Sequence, residues 1–464
     1  MNDQGAAQLE PSVIVVFGIT GDLAGRYLLP ALYHLFQAGL LNPQTEILGL
    51  TRQDLTVEDV FGRIKNGITE KDGSCDQAVL KRMQEHSRLL QFDPSQAADY
   101  GKLRDELERL ETEQGRCLHR LYYLSIPPDL FETTVQNLGS AGLNGSCSHG
   151  AASSRLLVEK PFGSDLASAQ ALIDATNRVF REEQVFRIDH YLAKETVQNI
   201  LWFRASNPIF SAVWDNQHIT SIEIQAKEKI GIEGRKVFYD KVGALRDLIQ
   251  SHLLQLLAVT TMSLPAELTS ESIHLHKQSL LESVVPADPS QAVRGQYEGY
   301  REEAEATDSA TETYARLTLN IDTSEWRDVP VTITTGKALD EKRTDITVDF
   351  TDRSNPTNEV NRLVFRIQPD EGIHVQLRVK RPGLDNELQS AALDFSYQQT
   401  FGDGSQPDAY ERVLVDAVKG DRTLFATSAE VLASWRIIQP VIDAWRDNAD
   451  GLQTYARGSS GPAA

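Results

Sequence analysis

The sequence predicts two domains of different class. An N-terminal, Rossmann-like α/β domain with a doubly wound parallel sheet is expected over residues 12–188. An α+β domain with a large antiparallel sheet is expected over 189–450. Three observations carry this reading. Six short, almost wholly apolar runs alternate with helical patterns up to residue 189, as in parallel strands buried on both faces. A glycine turn, Gly18-Ile-Thr-Gly21, follows the first run, where a doubly wound sheet seats a dinucleotide phosphate on a helix N-terminus. Beyond residue 190 the runs alternate polar and apolar, the pattern of strands with one covered face.

The six N-terminal runs are SVIVVFG (12–18), EILGL (46–50), RLLQF (88–92), RLYYLSI (120–126), RLLVEK (155–160) and VFRID (185–189). The alternating runs are ITSIEIQAK (219–227), ARLTLNID (315–322), VPVTITTG (329–336), DITVDF (345–350) and LVFRIQ (363–368). Helices are expected around 242–262 and 429–446. The acidic stretch EGYREEAEATDSATE (298–312) reads as a solvated loop or helix face. Residues 1–11 and 451–464 read as disordered tails.

Composition narrows the function. The formal net charge is −20, from 46 basic and 66 acidic side chains. Such a surface repels nucleic acid and anionic lipid, so neither is an expected partner. A phosphate site would have to be a local basic pocket. The three cysteines, Cys75, Cys117 and Cys147, are far apart and form no CxxC. They argue against a disulfide framework or a zinc site and fit a reducing cytoplasm. No 18-residue apolar stretch is present, and the polar N-terminus does not resemble a signal peptide.

In the glycine turn, Gly18 permits the tight bend and Gly21 lets backbone approach a phosphate, with Ala24 small enough for helix–strand packing. At the end of the second strand, where an acidic residue would hold the ribose hydroxyl of NAD, the chain has Arg52 and Gln53. A guanidinium there suits a 2′-phosphate, so NADP is the expected coenzyme. The run RIDHYLAKE (187–195) crowds Asp189, His190, Tyr191 and Lys194 onto a strand end. Loop solubility would explain it; so would an anion site. In LRDLIQSHLLQLL (245–257), α-helical spacing puts His252 on the apolar face of Leu248, Ile249 and Leu256. Alone that is the position of a core histidine. Paired with a carboxylate such as Asp189, it is a competent general base. Lys160, in VEKPFG, sits at the carboxyl end of the fifth strand, where open α/β sheets place ligands.

These segments occur together in one family. GITGDLAGRYLLPAL, LYYLSIPP, VEKPFGSDL, RIDHYLAKETVQN, KEKIGIEGR, GALRDLIQSHLLQ, GKALDEKR, RIQP and PDAYERVLVD resemble glucose-6-phosphate dehydrogenases over about residues 13–446. The resemblance implies oxidation of glucose 6-phosphate with NADP. It implies that Asp189 pairs with His252, the general base, and that His190, Tyr191 and Lys194 take the sugar phosphate. Lys160 would lie between substrate and coenzyme. Glu228 and Asp247 would bind sugar hydroxyls, and Lys337, Lys342 and Gln368 would make further substrate contacts. Gly18, Thr20, Gly21, Asp22, Leu23, Arg52, Gln53, Ile126 and Pro127 match coenzyme positions. A cis bond before Pro161, a homodimer or homotetramer built through the antiparallel sheet, and no metal are further implications. Two positions depart from the family pattern: Ala193 replaces a usual glycine, and Lys342 stands where some members have arginine. The chain also ends soon after the 429–446 helix, so the second, structural NADP of longer relatives is not expected. Two other readings are weaker. A glucose–fructose oxidoreductase-like enzyme would lack the RIDHYLxKE and RDxxQxHLLQ pair, and a non-catalytic relative would have lost part of the His252, Asp189, His190, Lys194 set.

Overall fold

The computed structural model describes residues 9–145, 152–234, 236–351, 360–402, 407–446 and 450–463. The chain forms two compact units. One comprises Met1–Gly163, Gln170–Ala193 and Pro407–Ser428; the other comprises Ser164–Ala169, Lys194–Gln406 and Ala429–Ala464. No described helix is long and apolar enough to cross a membrane.

In the first unit, the apolar runs become β1 (Ser12–Phe17), β2 (Glu46–Thr51), β3 (Ser87–Gln91), β4 (His119–Leu124), β5 (Ser154–Val158) and β6 (Val185–Ile188). They pair in parallel in the order 3-2-1-4-5-6. The strand order reverses between β1 and β4, the switch point at which such sheets open a ligand crevice. A two-residue strand, Phe425–Ala426, pairs antiparallel with β6. It belongs to a return segment that the division at 188 and 189 does not foresee. Helix Ala409–Lys419 of that segment is tied to β5, because the Arg155 guanidinium donates to the carbonyls of Ala417 and Val418.

The second unit holds one large sheet. Its strands are β7 (Ile219–Lys227), β8 (Val293–Tyr297), β9 (Tyr314–Leu319), β10 (Val331–Gly336), β11 (Arg343–Phe350), β12 (Asn361–Gln368), β13 (Gly372–Lys380) and β14 (Leu388–Ser396). The order is 14-13-12-11-7-10-9-8, with Leu452–Tyr455 added beside β8. All pairings are antiparallel except β7 with β10 and β8 with Leu452–Tyr455. β14 is exposed along most of its length, so no alternating apolar face marked it.

Three expectations give way. The C-terminal tail is not disordered: Tyr455 is buried, and its hydroxyl donates to the Lys337 carbonyl at 2.7 Å. At the N-terminus, residues 1–8 lie outside the described set, but the buried Leu9 accepts a hydrogen bond from Asn42 Nδ2. The acidic stretch is only partly solvated: it holds helix Tyr300–Ala304 and the buried Glu312. Aromatic packing explains this, since Tyr297 and Tyr300 join Tyr239, Tyr314 and Tyr455 in one cluster. Among the cysteines, Cys75 is a free thiol, whereas Cys117 is disulfide-bonded. Cys147 lies outside the described residues.

Candidate active site

The first unit supplies a glycine-lined strand end. Gly18 has φ +74°, and a Cβ there would meet the Ser125 carbonyl oxygen, just past β4, at 2.4 Å. Gly21 N–H donates to the Gly18 carbonyl at 2.8 Å, and a Cβ on Gly21 would sit 3.0 Å from that oxygen. Only glycine fits at Gly18, and a side chain at Gly21 would be tight, so close-packed backbone lines the turn at the switch point. A helix begins at Asp22 and Leu23 and continues through a π turn, Ala24–Leu28, into Leu29–Gln37. Its first N–H groups are ready donors for a phosphate. Thr20 is half-buried in the turn, and Ile126 and Pro127 follow β4. Arg52 and Gln53 are exposed past β2, where Gln53 N–H donates to Thr51 Oγ1 at 3.1 Å. The glycine turn, the exposed Arg52 guanidinium and the Ile126–Pro127 segment after β4 together fit an NADP molecule.

The same unit carries the VEKPFG turn. The Lys160–Pro161 bond is cis, as the resemblance implies. Beside the half-buried Lys160, Glu159 accepts a hydrogen bond from the Tyr123 hydroxyl. Burial pushes the Glu159 carboxyl up to about 7, against the pull of Tyr123, Lys160 and Tyr410. Tyr410 also stacks on Tyr27 of the coenzyme-side helix, with ring centroids 5.2 Å apart. Sequence reading passed over Glu159 and Tyr410 because only the lysine of EKP has an obvious ligand role.

RIDHYLAKE runs from the last two residues of β6 through a tight turn to the first residue of helix Glu195–Ser206. Tyr191 N–H donates to Asp189 Oδ1 at 2.9 Å and Leu192 N–H to the Asp189 carbonyl at 3.1 Å. Asp189 and Tyr191 are buried and His190 half-buried, its ring 5.1 Å from that of Tyr191. Arg187 is committed elsewhere, to Glu182 at 3.0 Å. Ala193 is buried as well.

The second unit assembles its polar groups along one end of the sheet. Because β7 and β10 are parallel, their last residues, Lys227 and Gly336, lie side by side. The next residues are therefore neighbours: Glu228 N–H donates to the Gly336 carbonyl at 2.9 Å, and the Lys337 ammonium pairs with the Glu228 carboxylate. Lys337 is buried, and its Nζ lies 5.1 Å from the centre of the Tyr239 ring. The start of β11 pairs with the end of β12, bringing Gln368 to the same end. There Lys194 Nζ donates to Gln368 Oε1 at 2.7 Å. Gln368 Nε2 donates to Thr344 Oγ1 at 3.3 Å. Lys342, just before β11, is exposed.

Asp247 and His252 lie on a helix that packs against β7 and β10. The helix is not α-helical there: Leu245–Leu253 is a π-helix. This corrects the α-periodic reading of His252, and Leu248 is only half-buried. In i→i+5 winding, with about 4.4 residues per turn, residues five apart stand only about 0.1 turn beyond a full one, so Asp247 and His252 share a face. His252 is 1% exposed, while Asp247 is half-buried. Burial first, and then the charges of Asp247, Glu312 and Glu228, hold the buried Tyr239 hydroxyl well above its ordinary range and so keep it protonated. Tyr239 and Tyr455 went unnoticed in the sequence because a tyrosine among apolar residues reads as core.

The site residues divide between the units. Gly18, Thr20, Gly21, Asp22, Leu23, Arg52, Gln53, Ile126, Pro127, Lys160, Asp189, His190 and Tyr191 belong to the first. Lys194, Glu228, Asp247, His252, Lys337, Lys342 and Gln368 belong to the second.

Residues 15–199 match the family model described as glucose-6-phosphate dehydrogenase, NAD binding domain, and residues 201–464 match the corresponding C-terminal domain. The chain belongs to the glucose-6-phosphate dehydrogenase family. It is 39% identical to the glucose-6-phosphate 1-dehydrogenase of Chlamydia muridarum, covering 97% of this chain and 94% of that one. The enzyme of that name from Gluconobacter oxydans is 38% identical, with 98% and 95% covered. Among solved structures, a glucose-6-phosphate dehydrogenase in complex with its substrate glucose 6-phosphate superposes with a TM-score of 0.90 at 33% identity. That match covers 98% of this chain and 96% of the other.

Proposed function

We propose that the chain oxidises glucose 6-phosphate to 6-phosphogluconolactone with NADP as acceptor, the entry step of the pentose phosphate pathway. The sugar C1–O–H loses its proton to the neutral His252 imidazole as the C1–H bond breaks and the C=O bond forms. NADP, when bound, supplies the nicotinamide carbon that accepts the hydride. The chain's own groups hold the reactants. The Gly18–Gly21 backbone and the helix start at Asp22 and Leu23 bind the pyrophosphate, with Thr20, Ile126 and Pro127 alongside. Arg52 and Gln53 hold the 2′-phosphate end. His190, Tyr191 and Lys194 bind the sugar phosphate through charge-assisted hydrogen bonds. Glu228, Asp247, Lys337, Lys342 and Gln368 orient the sugar, and Lys160 serves both ligands. Asp189 stabilises the imidazolium formed at His252. The chain works as a homodimer or homotetramer formed through the large sheet, on whose outer strand Leu388 and Leu393 are exposed.

The observation that carries this reading is the π-winding that puts a carboxylate and an imidazole on one helix face against the sheet end bearing the Glu228–Lys337 pair. Such an arrangement binds hydroxyls and removes a proton from one of them. The test is the appearance of reduced coenzyme with glucose 6-phosphate or glucose, and with NADP or NAD. Rapid reduction of NADP by the phosphorylated sugar, and slow reduction by glucose, is the expected result. Equal rates with both sugars would refute the phosphate assignment. Sedimentation at micromolar concentration tests the assembly, and a monomer there would contradict it.

A further inference from the structure

Glu312 closes an acidic run that the sequence gives to solvent, yet it is only 6% exposed. Its carboxylate Oε1 accepts the Leu245 N–H at 2.9 Å, and its backbone carbonyl accepts the Ala244 N–H at 2.9 Å. These donors open the π-helix that carries Asp247 and His252. The first N–H groups of a helix have no partner within it, and an anionic oxygen is favoured beside them. The chain makes room for this oxygen. Gly243 has φ +69°, and a Cβ there would lie 2.3 Å from Glu312 Oε1. The neighbouring cations have other hydrogen bonds: Arg246 Nε donates to the Ser164 carbonyl, and Arg294 donates to the carbonyls of Trp445 and Asp450.

The winding of this helix decides where its side chains point. In an α-helix of about 3.6 residues per turn, residues five apart are separated by about 0.4 turn beyond a full one. In the π-helix, with about 4.4 residues per turn, they are separated by only about 0.1 turn beyond a full one and so share a face. Whether Asp247 and His252 face the same way therefore depends on how the first turn is laid down. That turn is held by Glu312 from outside the helix.

We propose that Glu312 is a positioning residue, whose carboxylate fixes the first turn of the π-helix and so sets Asp247 and His252 on one face. The inference rests on the reading of His252 as the base. Glu312→Gln keeps an acceptor oxygen at the same reach, Glu312→Asp withdraws it by one methylene, and Glu312→Ala removes it. Steady-state kinetics with glucose 6-phosphate and NADP, with melting measured in parallel, separate the roles. Glu312→Ala and Glu312→Asp are expected to lower kcat by up to about 10²-fold, the scale of a 1 Å misplacement. The KM for NADP should stay unchanged, and Glu312→Gln should recover most of kcat. Parental kcat in a folded Glu312→Ala overturns the proposal. If that variant does not fold, parental kcat in Glu312→Asp overturns it instead. So does a Glu312→Gln variant as slow as Glu312→Asp. His252→Asn, measured alongside, tests the underlying reading: full turnover there removes the base, whereas an inactive His252→Asn with parental Glu312 variants removes only the positioning role.

Discussion

Two buried carboxylates flank the same helical run, and they are held in opposite ways. Glu430 meets the helix beyond His252, where Gln255 Nε2 donates to its Oε2 at 3.1 Å. Lys277 Nζ lies 2.9 Å from Oε2 and His274 Nδ1 2.8 Å from Oε1. Glu312 meets the run at its start and is bonded to backbone N–H. Burial pushes both carboxyls up. At Glu430 the charges and hydrogen bonds of Lys277 and His274 overcome it and hold the group at about 2. At Glu312 the Leu245 N–H and the more distant Arg246 and Arg294 offset burial only in part, and the carboxyl stays raised. Similar burial thus yields a charged anchor at one end and, at the other, a carboxyl that ionises less easily.

The anchor should be the more expensive to remove. Glu430→Ala would leave the Lys277 ammonium, 1% exposed, without its carboxylate. Breaking a buried pair from one side costs about 3–5 kcal/mol. Urea unfolding should register that loss, and a change below about 1 kcal/mol would mean that Gln255 and water replace the carboxylate.

Acid sharpens the comparison because the two shifts have opposite signs. Glu430 ionises more easily in the folded state, so its contribution is present above its unfolded value of 4.5 and is lost as pH falls through about 2. The full span is roughly 3 kcal/mol. Glu312 ionises less easily when folded, so its contribution is present at low pH and lost as pH rises through its folded value. Unfolding free energies across a pH series should show the deficit of Glu430→Gln shrinking toward acid. Glu312→Gln should gain on the parent as pH rises. Parallel pH curves for both variants would erase the distinction.

The smallest effect is expected at Tyr455, which touches neither carboxylate. Tyr455→Phe removes the hydroxyl that reaches the Lys337 carbonyl. The substitution also loses the hydroxyl's hydrogen bond with Thr313 Oγ1 at 2.9 Å; buried hydrogen bonds contribute about 1 kcal/mol each. Melting should drop accordingly, with both pH signatures intact. No change in stability would mean the hydroxyl adds nothing to the ring packing and the pairing with β8.

These contrasts also mark what the sequence made legible. The parallel sheet announced itself because strands buried on both faces must be apolar throughout, and β1 to β6 begin and end within about two residues of the runs that predict them. The glycine turn and RIDHYLAKE were legible because their groups are close in sequence. The sheet-end groups were placed by family resemblance alone: Lys194 and Gln368 are 174 residues apart, and only strand order joins them. The π-winding left no mark, since the same residues suit an α-helix. Glu312 was misread because a carboxylate in an acidic run is normally solvated; its burial follows from the tyrosine cluster and from Gly243. The C-terminal strand was misread because GSSGPAA resembles a tail, although Leu452–Tyr455 carries the pairing residues just before it.

The central claim is that His252 removes the proton while RIDHYLAKE binds the phosphate. The most direct measurement is steady-state turnover and glucose 6-phosphate binding for His252→Asn beside His190→Asn. His252→Asn should lower kcat by roughly 10²–10⁴-fold with little change in sugar affinity. His190→Asn should instead weaken glucose 6-phosphate by about 1.5–3 kcal/mol and leave unphosphorylated glucose almost unaffected. Full turnover in His252→Asn, or lost turnover with intact binding in His190→Asn, would contradict the account.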